Sequence, residues 1–144
     1  MATRKDIIQQ LKQDMNEKIS VTNGYKTDVA DVRIGVVNPD KFPTRPGIGL
    51  WSYEDNVVEQ LLDTEILRNN RFIVYGYIDV TEDYDDYDGI YDFAKDVEQF
   101  LYSTDNTYSD DTLITSTKTN YGGISTPVGY FIIFFDINYY QDDF

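Results

Sequence analysis

The densest group of side chains able to do chemistry is the run Glu82, Asp83, Tyr84, Asp85, Asp86, Tyr87 and Asp88, closed by Gly89. Carboxylates this close together suggest a hard divalent cation held by oxygen ligands, so the run is tested against the calcium loop of an EF-hand. With Gly89 in the glycine position, Asp86 and Asp88 fall on ligand positions. Tyr84, however, stands where the first ligand belongs, and Lys95 where the closing glutamate belongs. The pattern fails. A metal-dependent hydrolase built on Asp83, Asp85, Asp86 or Asp88 would need carboxylates converging from separated elements, and four in one loop do not supply that. The simpler reading is an acidic loop leading into a helix, where negative charge suits the positive end of the helix dipole.

The chain has no cysteine and no histidine. Disulfides, thiolate metal sites, Cys or Ser/His nucleophile systems and the usual neutral-pH proton shuttle are therefore excluded. No catalytic residue, metal ligand or cofactor site is assigned, and the expectation is a protein that is not an enzyme. Its 12 basic and 26 acidic residues give a formal charge of −14, which repels nucleic acid and anionic membranes on average. The charge is uneven. Through Leu50 there are 8 Lys/Arg and 6 Asp/Glu, a local +2, and from Trp51 onward 4 and 20, a local −16. One consequence is a dispersed, soluble surface. The sharper one is a basic face on one subunit meeting an acidic face on the next. No secretory signal pattern and no apolar run of transmembrane length is visible, so synthesis in the cytoplasm and no membrane contact are expected.

At 144 residues the chain suits one domain, residues 1–144. Thr3 and Asp6 form an N-terminal capping signal, and Ile7, Ile8, Leu11, Met15 and Ile19 recur at helical spacing, which predicts an amphipathic helix over 3–19. Asn23 and Gly24 make a tight turn, followed by a strand carrying Val29, Val32, Ile34 and Val36. Pro39, Pro43 and Pro46 then impose an ordered loop. Ile48, Leu50 and Trp51 set against Gly47, Gly49 and Ser52 predict a half-buried strand, with Trp51 a core or edge aromatic. Residues 57–67 fit either a helix or a hairpin arm and lean to strand, with a turn at Asn69 and Asn70. Phe72, Val74, Gly76, Ile78 and Val80 alternate with Ile73, Tyr75, Tyr77 and Asp79 as a strand. Asp88 is placed to cap a second helix whose apolar face is Ile90, Phe93, Ala94, Val97, Phe100 and Leu101.

A threonine-rich, edge-like strand from Leu113 to Tyr121 and a turn at Gly122 and Gly123 lead to the last strand, from Pro127 to Tyr140. Its first half reads as buried on both faces. From Phe135 it alternates, with Phe135, Ile137 and Tyr139 on one side. The expected architecture is α+β, a single domain whose mainly antiparallel β-sheet has two amphipathic helices packed on one face.

Particular residues on this layout carry a likeness. They are Arg4, Ile7, Ile8 and Leu11 of the opening helix; Ile19 with Asn23, Gly24, Tyr25, Lys26, Thr27, Asp28 and Val29; and Phe42-Pro43 with Pro46-Gly47-Ile48. Further on come Phe72 through Ile78, the Ala94-Lys95-Asp96-Val97 helix and the terminal apolar strand. With these the chain resembles the tail terminator (tail completion, head-tail joining) proteins of long-tailed bacteriophages. The resemblance implies a structural virion protein that forms a homo-oligomeric ring, expected to be a hexamer, at the head-proximal end of the tail. There it would stop growth of the tail-tube protein and join the tail to a neck or head-completion protein, with DNA passing through the lumen without specific binding.

A ring needs two different patches on each subunit. The interface candidates are Lys5, Lys12, Arg33 and Arg45 on the basic side and Asp83, Asp85, Asp86 and Asp88 on the acidic side. Other readings are a neck-adaptor or tail-tube subunit of the same particle, the carboxylate-dependent metal-binding hydrolase, and an acidic decoy that mimics DNA.

Overall fold

The computed structural model describes residues 4–35, 45–61, 65–79, 86–103, 111–120 and 128–141. In chain order they form helix α1 (Arg4–Lys18), a short 3-10 turn (Val21–Asn23), strands β1 (Asp31–Ile34), β2 (Gly47–Leu61) and β3 (Glu65–Asp79), helix α2 (Asp86–Tyr102), and strands β4 (Asp111–Asn120) and β5 (Val128–Gln141). The five strands make one sheet in the order β1-β2-β3-β5-β4. Only β1 and β2 run parallel; the other three pairings are antiparallel. The expected α+β architecture holds.

One face of the sheet is apolar because of the two-residue period of its strands. Val32, Ile48, Leu50, Phe72, Val74, Phe131, Ile133, Phe135, Ile137 and Tyr139 all point to it and are buried. In register they form continuous rows, such as Leu50 beside Val74 beside Ile133. α1 covers the β1 and β2 side and α2 covers β3, β5 and β4. Ile7, Ile8, Leu11 and Met15 of α1 and Ile90, Phe93, Ala94, Val97, Phe100 and Leu101 of α2 are the buried stripes that the helical spacing predicts.

Gly76 is where the packing is closest. A Cβ built on it would lie 1.9 Å from Cε1 of Phe131, so glycine at this point lets the ring lie flat against the β3 backbone. The same ring meets Phe93 of α2 edge-on, with centroids 4.9 Å apart. Phe131 thereby sits between sheet and helix. On the other side of the core, Asp96 of α2 is buried and both its oxygens accept from the Lys26 backbone N–H, at 3.0 and 3.2 Å. That contact ties α2 to the segment joining α1 to β1. Gly24 in this segment has φ +93°, the left-handed conformation its place after the 3-10 turn requires.

Several expectations are corrected. The turn does not fall at Asn69 and Asn70. Both lie within β3, and the reversal is between Leu61 and Glu65. Turn propensity yields because each amide finds a cross-strand partner: Asn70 Oδ1 accepts from Ser52 Oγ at 2.7 Å, and Asn69 Nδ2 donates to Asn138 Oδ1 at 2.9 Å. Residues 57–61 and 65–67 accordingly belong to the arms of one long hairpin, in agreement with the strand reading. Asp88 does not cap α2, since the helix begins at Asp86 and takes in Asp88 and Gly89. β5 is not buried on both faces in its first half: Phe131 and Ile133 are buried while Ile132 and Phe134 are half-buried, because helices cover one side only. Trp51 is exposed, which removes the core half of the core-or-edge reading and keeps the edge half, and Ser52 takes the buried parity.

β1 begins at Asp31, later than the strand read from the sequence. Val29 instead packs against the core from the preceding turn. Thr3, Val36, the prolines at 39 and 43, and the turn at Gly122 and Gly123 lie outside the described residues. Pro46 lies within them and follows a cis peptide bond.

Gly76→Ala is expected to lower stability by about 1–3 kcal/mol through overpacking against Phe131. Chemical denaturation checks this, and Phe131→Leu in the Gly76→Ala background should recover part of the loss. Asp96→Ala, which strands the Lys26 N–H, should cost about 1–3 kcal/mol in the same measurement.

Candidate interface

The charged positions singled out in the sequence are spread over α1, β1, the start of β2 and the start of α2. Lys5 and Lys12 are seven residues apart on α1, on one side of the helix. Lys5 is exposed and Lys12 half-buried among Asp6, Gln9, Gln10, Gln13 and Asn16, which line a shallow polar depression. All of these come from one helix, so the depression has no opposing wall. Arg33 on β1 donates from Nε to Asp31 at 2.8 Å, and Arg45, just before β2, pairs with Asp79 at the end of β3. Those two charges are answered within the chain, which sets them apart from the other basic candidates, Lys5 and Lys12 on α1.

Asp86 and Asp88 stand in the first turn of α2, and that turn reaches β3 where Gly89 meets Ile78. Asp83 and Asp85 lie outside the described residues. Arg45, through Asp79, and the first turn of α2, through Ile78, both reach the end of β3, whereas Lys5 and Lys12 lie on the helix over β1 and β2. α1, with β1, occupies one end of the strand order, and α2 covers the other. Among the described residues no group of three or more His, Cys, Asp or Glu is placed to hold a metal ion. None of the described helices is long and apolar enough to cross a membrane.

The feature missed in the sequence is the sheet face opposite the helices. Its rows can be read from the register. Gly47, Tyr77, Tyr130 and Asn120 form one; Gly49, Tyr75, Ile132 and Lys118 the next; then Trp51, Ile73, Phe134 and Ser116; and finally Glu54, Arg71 and Asp136. The first three rows are largely aromatic or aliphatic. Tyr53, next to a register shift in β2, sets its ring edge-on to Phe134 with centroids 6.4 Å apart. At the polar end, Arg71 lies between Glu54 at 3.4 Å and Asp136 at 3.8 Å. The signal was present in β3, where Ile73, Tyr75 and Tyr77 occupy the positions that an ordinary half-solvated strand gives to polar residues.

Tyr77 is the buried aromatic of this face. Burial raises its hydroxyl above the ordinary 10.0, and the neighbouring phenols of Tyr75 and Tyr130 push in the same direction.

Compared with known proteins, the chain matches no protein-family model and no curated sequence. The structure defines a class: an α+β domain with one sheet face covered by helices and the other lined by half-buried aromatic and aliphatic side chains.

The raised Tyr77 hydroxyl has a consequence for stability. An acid harder to ionise in the folded than in the unfolded chain adds stability in full below about pH 10, and that stability is lost as pH rises through the folded-state value. Alkaline denaturation should therefore steepen above about pH 10, and Tyr77→Phe should flatten that limb while leaving neutral-pH folding cooperative.

Proposed function

We propose that this chain is a structural, non-enzymatic subunit of a phage tail: a ring at the head-proximal end that ends tube growth and joins the tail to the neck or head. The observation that carries the reading is the one-sided sheet. Two helices bury one face, and a row-by-row aromatic face is left on the other. Trp51 and Tyr53 stand exposed on that face beside the half-buried Tyr75, Tyr130 and Phe134, and contiguous apolar patches of this kind mark sites of association. The residue likeness to tail terminators supplies the kind of assembly.

The division of charge suits contacts between unlike patches. Lys5 and Lys12 of one copy would meet the acidic surface near the start of α2 on the next, a heterologous contact that closes into a ring if the rotation per subunit allows. The net charge of −14 suits a lumen through which DNA passes without adhering, because phosphates are repelled. A tube or adaptor subunit of the same particle would share most of these features and would differ in whether assembly continues after one ring.

Mass measurement of the purified protein should give a single closed oligomer, near six copies, that does not lengthen with concentration. Added to polymerising tail-tube subunits, the protein should shorten the tubes. Open filaments would favour the tube reading, and a persistent monomer would remove the ring. Lys5→Glu with Lys12→Glu should weaken assembly by about 1 kcal/mol, roughly fivefold in midpoint concentration, and the difference should shrink in high salt. Tight DNA binding at moderate salt would contradict the lumen assignment.

A further inference from the structure

We infer that Asn23 is a site of spontaneous covalent modification, an asparagine that cyclises onto the nitrogen of Gly24 when the link between α1 and β1 opens and is held from doing so while that link is closed. The inference goes beyond the assembly proposed above and does not depend on it. Asn23 is the one asparagine of the chain followed by glycine. With no side chain beside it, a glycine nitrogen approaches the preceding side-chain amide with less obstruction than that of any other residue. In the reaction a bond forms from Gly24 N to Cγ of Asn23, and the bond from Cγ to Nδ2 breaks. Nδ2 leaves as ammonia, taking the proton that Gly24 N gives up. Water then opens the cyclic imide at either carbonyl and leaves aspartate or isoaspartate in place of Asn23.

Solvent has full access to this site, since Val21, Thr22, Asn23 and Gly24 are all exposed. What holds the reaction back is hydrogen bonding of both reacting groups. The attacking nitrogen donates its N–H to Val21 O at 3.1 Å, and the leaving amide donates from Nδ2 to Lys18 O at 3.0 Å. Asn23 N–H donates in turn to Ser20 O at 3.1 Å, which keeps the residue within the 3-10 turn. A backbone nitrogen whose N–H is committed to a carbonyl cannot give up its proton until that bond opens, the same constraint that governs amide hydrogen exchange. The turn is fastened at its start as well, where Val21 N–H donates to Asp28 Oδ1 at 2.7 Å.

The product does not fit where the amide did. Asn23 Nδ2 answers Lys18 O in the last turn of α1, where backbone carbonyls have no intrahelical partner. A carboxylate has no proton to donate there and sets a negative charge at the negative end of the helix dipole. Isoaspartate also lengthens the backbone by a methylene inside a tight turn. The modified chain therefore re-forms the link between α1 and β1 less well, and the extent of modification records how long that link has stood open.

The test is peptide mapping by mass spectrometry of the full chain, incubated at mildly alkaline pH either folded in buffer or unfolded in guanidinium chloride. In the unfolded chain Asn23 should convert at least tenfold faster than Asn16, which precedes Glu17 and serves as the internal control. Gly24→Ala should remove most of that difference. In the folded protein Asn23 should convert roughly tenfold or more slowly than in the unfolded chain, because the rate follows the population of the open turn. Asp28→Ala removes the acceptor of Val21 N–H without touching Asn23 or Gly24, and should speed conversion in the folded protein at least threefold. Equal rates in the folded and unfolded chains overturn the protection. An unfolded chain in which Asn23 converts no faster than Asn16 overturns the site itself. An Asp28→Ala protein with native circular dichroism and an unchanged rate overturns the turn as the element that controls the reaction. If Asp28→Ala fails to fold, the comparison of the unaltered chain in the two solvents decides.

Discussion

The structure depends on the odd-numbered side chains of β5. Phe131, Ile133, Phe135, Ile137 and Tyr139 are all buried on one face, and β5 pairs along nearly its whole length with β3 on one side and β4 on the other. A strand so placed cannot slip by one residue without turning five large apolar groups into solvent. Its register therefore sets that of both neighbours, and the helices must lie where those five side chains emerge. Phe131 carries this furthest, lying on the Gly76 backbone below and against Phe93 above. Phe72 and Phe135 stack in the next row but one, centroids 5.1 Å apart.

Covering one face commits the other. α1 and α2 both lie on the same side, so Trp51, Tyr53, Tyr75, Tyr130 and Phe134 remain on a surface over which, among the described residues, no helix lies. Charged side chains at the margins of the sheet are paired, with Arg71 between Glu54 and Asp136 and Arg45 on Asp79.

The far part of the β2 and β3 hairpin follows a different rule. It is held in register by polar pairs across the strands: Ser52 with Asn70, Asn69 with Asn138, and Arg68 with Asp55 at 3.4 Å. Such pairs stabilise less than apolar burial but are directional, so they specify which residues lie opposite. This is how two adjacent asparagines come to sit in the middle of a 15-residue strand.

Local pattern was enough to read much of this from the chain. The spacing of Ile7, Leu11 and Met15, and of Phe93, Val97 and Phe100, determines two helices with one apolar stripe each, because a helix repeats every 3.6 residues whatever surrounds it. The alternation from Phe72 to Asp79 and from Phe135 to Tyr139 determines strands by the same reasoning with a period of two, and absent cysteine and histidine limit the chemistry. The lysines of the candidate interface were visible as charges, but their neighbours were not. Arg45 finds Asp79 across 34 positions and Asp96 finds Lys26 across 70, distances over which no sequence spacing carries information. Only the tertiary structure decided that Asn69 and Asn70 are strand, that Ser52 and not Trp51 faces the core, and that one aromatic face stays open. Those outcomes depend on which strands become neighbours and on which side the helices fall, and both are settled by burial summed over the whole fold, beyond any property of the residues within a few positions.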